Sequence, residues 1–187
     1  MDDTFMAYRH FMGDGFEPVE PESWAFRPFD WTVKAVCSSC NNGWMAKLEA
    51  DAKGALFTSA FAGRGRVLHR GGQRTVAAWA VKTAMMVEQT NAPARRGIPC
   101  AAYAHLRETG EPSERVRVWV ASHAGERAVA LALPFGSDVN MATRPEPERG
   151  ERDVWGSTLL FGPVVLQVLG TRVPRLLDLL QMATPHT

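Results

Sequence analysis

The sequence is poor in cysteine and has no long apolar run. Three cysteines among 187 residues are too few, and odd in number, for the paired disulfide framework of small secreted proteins. No apolar stretch approaches the roughly 20 residues that a membrane-spanning helix requires, and the first residues lack the basic start and apolar stretch of a secretory signal. We therefore expect a cytoplasmic protein with no membrane partner.

An excess of charge of one sign is also lacking. The chain has 21 Lys and Arg against 20 Asp and Glu, a net charge of +1, which by itself indicates neither a nucleic acid nor a membrane as partner. The distribution is uneven, however: residues 1–62 carry 5 basic and 9 acidic side chains, whereas residues 63–111 carry 8 and 3. Seven of those 8 basic residues are Arg, whose planar guanidinium suits bidentate contact with phosphate.

The first part of the chain predicts an irregular arm and then a short strand and a helix. Residues 13–30 contain three prolines and two glycines, which exclude a regular helix and favour an extended, irregular arm. Residues 31–36 alternate large and small or polar side chains, which is typical of a short half-buried strand. Apolar residues then recur at helical spacing over 44–61.

The later part of the chain predicts a buried helix and an antiparallel sheet. Over 75–89, apolar residues surround nearly the whole helical wheel, which indicates a helix buried on most sides. Strand-like alternation follows. The predicted strands are 115–120, 128–134, 155–160 and 164–169.

These patterns predict an α+β fold with two domains. The first, residues 1–62, holds the arm and a short strand–knuckle–helix unit, where the knuckle is the turn from Cys37 to Cys40. The second, residues 63–187, is an α+β body in which the buried helix precedes the C-terminal antiparallel sheet.

Cys37 and Cys40 are the candidate metal ligands, in the run Cys-Ser-Ser-Cys-Asn-Asn-Gly-Trp. Two thiolates at this spacing can chelate one tetrahedral zinc, because the turn directs both sulfurs to one point. The sequence has no second close pair, so these residues form half of a zinc site. A Cys-x-x-Cys turn before a helix is also found in disulfide oxidoreductases, so a thiol redox protein remains an alternative.

The segment 36–49 resembles the second half of the zinc-bearing core of bacterial and phage HNH-endonuclease-like proteins. The shared motif is Cys-x-x-Cys-Asn-Asn-Gly-Trp-Met leading into a helix, and residues 77–84 are similar to the helix that follows in that family. The resemblance implies zinc bound by Cys37 and Cys40 and an association with DNA.

The first half of that family's core has no counterpart in this sequence. No cysteine pair and no Glu-His precede residue 37, and His10, the only histidine there, has no acidic neighbour. HNH hydrolysis needs a histidine to activate water and further ligands for a divalent ion. We therefore assign no catalytic residue and expect an endonuclease-like protein that is catalytically incomplete by itself. A partner chain or a second copy of this chain can complete the zinc site.

Four arginines are the candidate nucleic-acid contacts: Arg64, Arg66, Arg70 and Arg74. They follow the predicted first helix, and phosphate contact by such residues makes affinity fall steeply with salt. The alternative interpretation is a solvated loop loosened by glycine. The alternative function for the whole chain is a structural or interaction protein, whose knuckle only stabilises the fold and whose sheet edge pairs with a partner.

Overall fold

A computed structural model describes residues 5–12, 18–26, 35–57, 67–91, 96–122, 130–137 and 152–182. The chain divides into two compact units, Met1–Thr32 and Val33–Thr187. The mixed α+β class predicted from the sequence is confirmed, since the second unit combines helices with a four-stranded antiparallel sheet.

The first unit contains an antiparallel hairpin of β1 (Phe5–Met12) and β2 (Pro18–Phe26). The prediction of an irregular arm over 13–30 is therefore wrong for the residues of β2. Two of the prolines that suggested irregularity occupy positions that a strand tolerates. Pro18 is the first residue of β2, and Pro21 lies where the register shifts and two residues of β2 oppose one of β1.

A broken helical segment carries the two cysteines at the start of the second unit. A single turn, α1 (Ser38–Cys40), leads into a π-helical turn (Asn41–Met45), the helix α2 (Ala46–Ala52) and a second π-helical turn (Lys53–Phe57). The backbone leaves helical geometry at Gly43, which kinks the segment.

The short strand predicted over 31–36 is not formed in its described part. Residues 35 and 36 form a turn and a bend shortly before α1, and residues 31–34 lie outside the described residues. The helix predicted over 44–61 is formed over 44–57 as α2 and its flanking π-helical turns, and residues 58–61 lie outside the described residues.

The long helix α3 (Arg70–Glu88) lies at the centre of the second unit, and the prediction of a helix buried on most sides is confirmed. It packs against α2, against α4 (Cys100–Thr109) and against all four strands of the sheet. Because α2 packs on α3, both belong to one compact unit. The predicted domain boundary at residue 62 lies outside the described residues.

The sheet has the strand order β3-β6-β5-β4, and every neighbouring pair is antiparallel. Its strands are β3 (Val116–Ser122), β4 (Ala130–Ser137), β5 (Val154–Phe161) and β6 (Val164–Thr171). Gly162, at φ 56°, makes the tight turn between β5 and β6. One face of the sheet fully buries Leu159 and Leu166, and Phe161 packs on Trp79 of α3 with ring centroids 5.3 Å apart.

The last described helix is α5 (Pro174–Met182), which follows β6. Within the described ranges, no helix is both long enough and apolar enough to cross a membrane.

Candidate functional site

The two cysteines lie on one closed turn at the start of α1. The backbone N–H of Asn41 donates to the carbonyl of Cys37 over 3.0 Å, which closes the turn around both thiols. Cys37 is exposed and Cys40 is partly buried, and both are free thiols. The Sγ of Cys37 lies 3.1 Å from the Oγ of Ser39. Both sulfurs therefore belong to one turn, as two ligands of a single zinc ion require.

Hydrogen bonds lower the pKa of the Cys37 thiol to about 7. The Ser39 hydroxyl makes the largest contribution, followed by the backbone N–H and the thiol of Cys40, whereas desolvation acts weakly in the opposite direction. A large share of Cys37 is therefore thiolate at neutral pH. The thiolate is the form of cysteine that binds metals and attacks electrophiles.

Cys37 and Cys40 fit two of the four positions of a tetrahedral zinc site. Among the residues that the structure describes, no group of three or more His, Cys, Asp or Glu side chains is placed to hold a metal ion. Cys100 is exposed at the start of α4, and His69 is exposed immediately before α3. The two thiols thus supply half of a site, and zinc binding remains a prediction.

The residues after the knuckle anchor it to the core. Met45 is buried, and Trp44 packs against the core cluster with its indole N–H fully buried and unbonded within the described part of the chain. Burying a polar N–H without a partner carries a cost that the packing of the large ring must offset. The partly buried Trp44 side chain therefore fixes the residues after Cys40 against the core.

An ion pair between α2 and α3 was not predicted from the sequence. Lys82 is only 5% exposed, and its Nζ donates to Oε1 of Glu49 over 2.5 Å. A buried ammonium is costly unless it is paired, so this bond holds α2, and with it the knuckle, in place on α3. The available signal was a lone charged residue within the mostly apolar stretch 76–87, but the sequence does not identify its partner.

A second buried charge, Glu88, ends α3. Its carboxylate accepts hydrogen bonds from the backbone N–H groups of Gly97 (2.6 Å) and Ile98 (2.9 Å) and from the hydroxyl of Tyr103 (2.9 Å). Desolvation raises the pKa of Glu88, and burial beside that carboxylate raises the pKa of Tyr103. The cluster therefore has a structural role, since it fixes the chain entering α4 against the end of α3.

The predicted phosphate contacts are only partly described. Arg70 is exposed in the first turn of α3. One turn later, Arg74 forms an ion pair with Glu111 at 3.3 Å, and both side chains are more than half exposed. Exposed pairs of this kind contribute little stability, so a phosphate can compete for Arg74. Arg64 and Arg66 lie outside the described residues.

Comparison with protein-family models, curated proteins and solved structures gave no match for this chain. The resemblance of residues 36–49 to HNH-endonuclease-like proteins therefore rests on the motif alone.

Proposed function

We propose that this chain is a cytoplasmic, HNH-like zinc-knuckle protein associated with DNA. Cys37 and Cys40 supply two zinc ligands in this proposal. The main support for this proposal is that both thiols belong to one closed turn. The lowered pKa of Cys37, about 7, adds to it, because it favours the thiolate near neutral pH. Zinc binds the thiolate form of cysteine and takes four ligands. This turn offers two, and the others come from a partner chain, a second copy or residues outside the described ranges.

The anchoring of the turn supports the same proposal. A zinc ligand must be held in position before the metal arrives if affinity is to be high. Trp44 and Met45 pack the residues after Cys40 into the core, and the Glu49–Lys82 bond holds the helix that follows. Bound zinc would act as a cross-link between this anchored turn and the remaining donors. We assign no catalytic residue.

The basic stretch over residues 63–111 supports an association with DNA. Seven of its 8 basic residues are Arg, and the guanidinium group of arginine can form bidentate hydrogen bonds with phosphate. Arg70 is exposed there, and Glu111, which pairs with Arg74 in the described part of the chain, is itself exposed.

Metal analysis tests the zinc proposal. We expect the reduced wild-type protein to bind zinc and Cys37→Ser and Cys40→Ser each to lose it in a titration against a chromogenic chelator. Cys100→Ser removes an exposed thiol from another helix and is the matched control. One zinc per chain indicates that the other ligands belong to this chain or a different partner, and one zinc per two chains indicates a second copy. Full zinc retention in both knuckle variants would contradict the assigned ligands.

A structural or interaction protein is the second candidate function. It is favoured by the same anchoring contacts of Trp44 and Glu49, because a knuckle that only stabilises the fold also needs them. Measurement of binding to duplex DNA separates the two candidates. Zinc binding without any salt-sensitive DNA binding favours the structural role.

A further inference from the structure

The two knuckle thiols also have the arrangement of a pair that closes into a disulfide. We infer that Cys37 and Cys40 form a reversible intramolecular disulfide, in which Cys37 attacks an external disulfide and Cys40 resolves the product. This inference goes beyond zinc binding and does not depend on it, although both use the same sulfurs.

The backbone geometry permits this bond. Residues three apart on a closed helical turn have Cα atoms about 5 Å apart, within the range that a disulfide spans. The Asn41 N–H to Cys37 carbonyl bond, at 3.0 Å, closes that turn. Both cysteines belong to this one turn, so closure requires little backbone movement.

The environments of the two thiols assign their roles. Cys37 is exposed, so a bulky external disulfide can reach it, whereas Cys40 is partly buried beside it. The Oγ of Ser39 lies 3.1 Å from the Cys37 sulfur and can donate to that sulfur when it is a thiolate. Cys100 is also exposed but lies at the start of α4, so it is a single exposed thiol for comparison within the same chain.

The oxidant is a low-molecular-weight disulfide such as oxidised glutathione. The Cys37 thiolate attacks one of its sulfurs, the glutathione S–S bond breaks, and one glutathione leaves as a thiolate, which forms a mixed disulfide on Cys37. Cys40 loses its proton to solvent and attacks the Cys37 sulfur, and the second glutathione leaves as a thiolate. Two cysteines lose two electrons in all, and one oxidised glutathione gains them. A closed disulfide has no thiolate to offer, so oxidation and zinc binding exclude each other.

The test oxidises the full-length, reduced, metal-free protein with glutathione buffers and identifies the products by mass spectrometry after acid quenching. In wild type and Cys100→Ser, we expect a disulfide within the knuckle. The mass of the knuckle peptide should fall by two hydrogens, and neither Cys37 nor Cys40 should remain available for alkylation. Cys40→Ser should stop at the glutathione adduct on Cys37, and Cys37→Ser should form no intramolecular disulfide. Excess dithiothreitol should reverse the closure. Circular dichroism of each variant checks that it is folded.

Two results would overturn the inference: a glutathione adduct that persists on Cys37 in the wild type, or a disulfide that forms only between chains. The zinc titration on the reduced protein distinguishes failure of the disulfide inference from failure of the proposed zinc site. Closure without zinc binding rejects the metal proposal and supports the disulfide. Zinc binding by both thiols without closure supports the metal proposal and rejects the disulfide.

Discussion

Lys82 of α3 donates a hydrogen bond to Glu49 of α2, joining the helix behind the cysteines to the centre of the core. The lysine is buried, whereas the carboxylate is 57% exposed. Loss of the pair is therefore more costly for Lys82 than for Glu49, because water can solvate the exposed carboxylate but hardly reaches the buried ammonium.

This asymmetry predicts unequal effects of removing either partner. Glu49→Ala leaves the ammonium of Lys82 buried without a carboxylate, and we expect the free energy of unfolding to fall by about 1–2 kcal/mol, because water can solvate the vacated position in part. Lys82→Met removes the charge but keeps the length of the side chain, so its loss should be smaller. Asp51→Ala, which breaks the exposed pair with Lys47, is the control and should cost about 0.5 kcal/mol or less. Urea unfolding measures all three, and a greater loss for Lys82→Met than for Glu49→Ala would contradict the assignment.

Close packing of Gly170 against Trp155 predicts a severe defect for Gly170→Ala. A Cβ on Gly170 would overlap the indole ring across the β5–β6 pair, so the ring or the strand must move, at a cost of about 1–3 kcal/mol. Gly71→Ala is the control, because open space surrounds that position in the first turn of α3. Alanine there should stabilise the helix by up to about 1 kcal/mol. Thermal unfolding measures both, and equal melting temperatures for the two variants would be inconsistent with this packing.

The pKa of about 7 at Cys37 predicts the pH dependence of its alkylation. The thiolate reacts with iodoacetamide, so the rate at Cys37 should rise with pH to a plateau, with its midpoint near pH 7. Ser39→Ala removes the largest cause of the lowered pKa and should move the midpoint upward. Peptide mass spectrometry in the Cys100→Ser background measures the rate at Cys37 alone. A midpoint that Ser39→Ala leaves in place would assign the lowered pKa to another cause.

The raised pKa of Glu88 predicts a pH-dependent contribution to stability. A carboxyl whose pKa is higher in the folded than in the unfolded state binds its proton more tightly when folded, so its contribution is fully present below about pH 4.5 and is lost as pH rises through the folded value. Glu88→Gln keeps an acceptor for the Gly97 and Ile98 N–H groups but cannot ionise. The stability of wild type relative to this variant should therefore fall as pH rises above about 4.5. Urea unfolding at a series of pH values measures the difference in unfolding free energy between wild type and Glu88→Gln. A difference that stays constant or rises with pH would contradict the prediction.

Phosphate contact by the basic stretch predicts a specific salt dependence of DNA binding. Each phosphate contact adds a slope of about −0.9 to the plot of log binding constant against log salt concentration. Arg70→Ala should therefore make the slope shallower by about 0.9, and Arg175→Ala, which removes an exposed arginine from α5, should leave it unchanged. Fluorescence anisotropy with a short duplex between 50 and 200 mM chloride measures the slopes. Equal changes in both variants would indicate a general charge effect.

The sequence by itself determined the elements whose apolar pattern is strong and local. Strict alternation predicted β3, and two strand-like runs on either side of Phe161-Gly162-Pro163 predicted the pair β5 and β6. A nearly all-round apolar wheel predicted α3, because that pattern reflects the faces that must be buried. The Cys-x-x-Cys spacing likewise indicated two thiols on one turn, since three residues span about one helical turn.

Only the tertiary structure decided which distant residues meet. Lys82 and Glu49 are 33 positions apart, and Gly170 meets Trp155 across a strand pair. Strand β2 formed despite its prolines because the register against β1 places Pro21 at an irregularity. These outcomes depend on the register and packing of separate segments, and local periodicity carries no information about which segment becomes the neighbour of another.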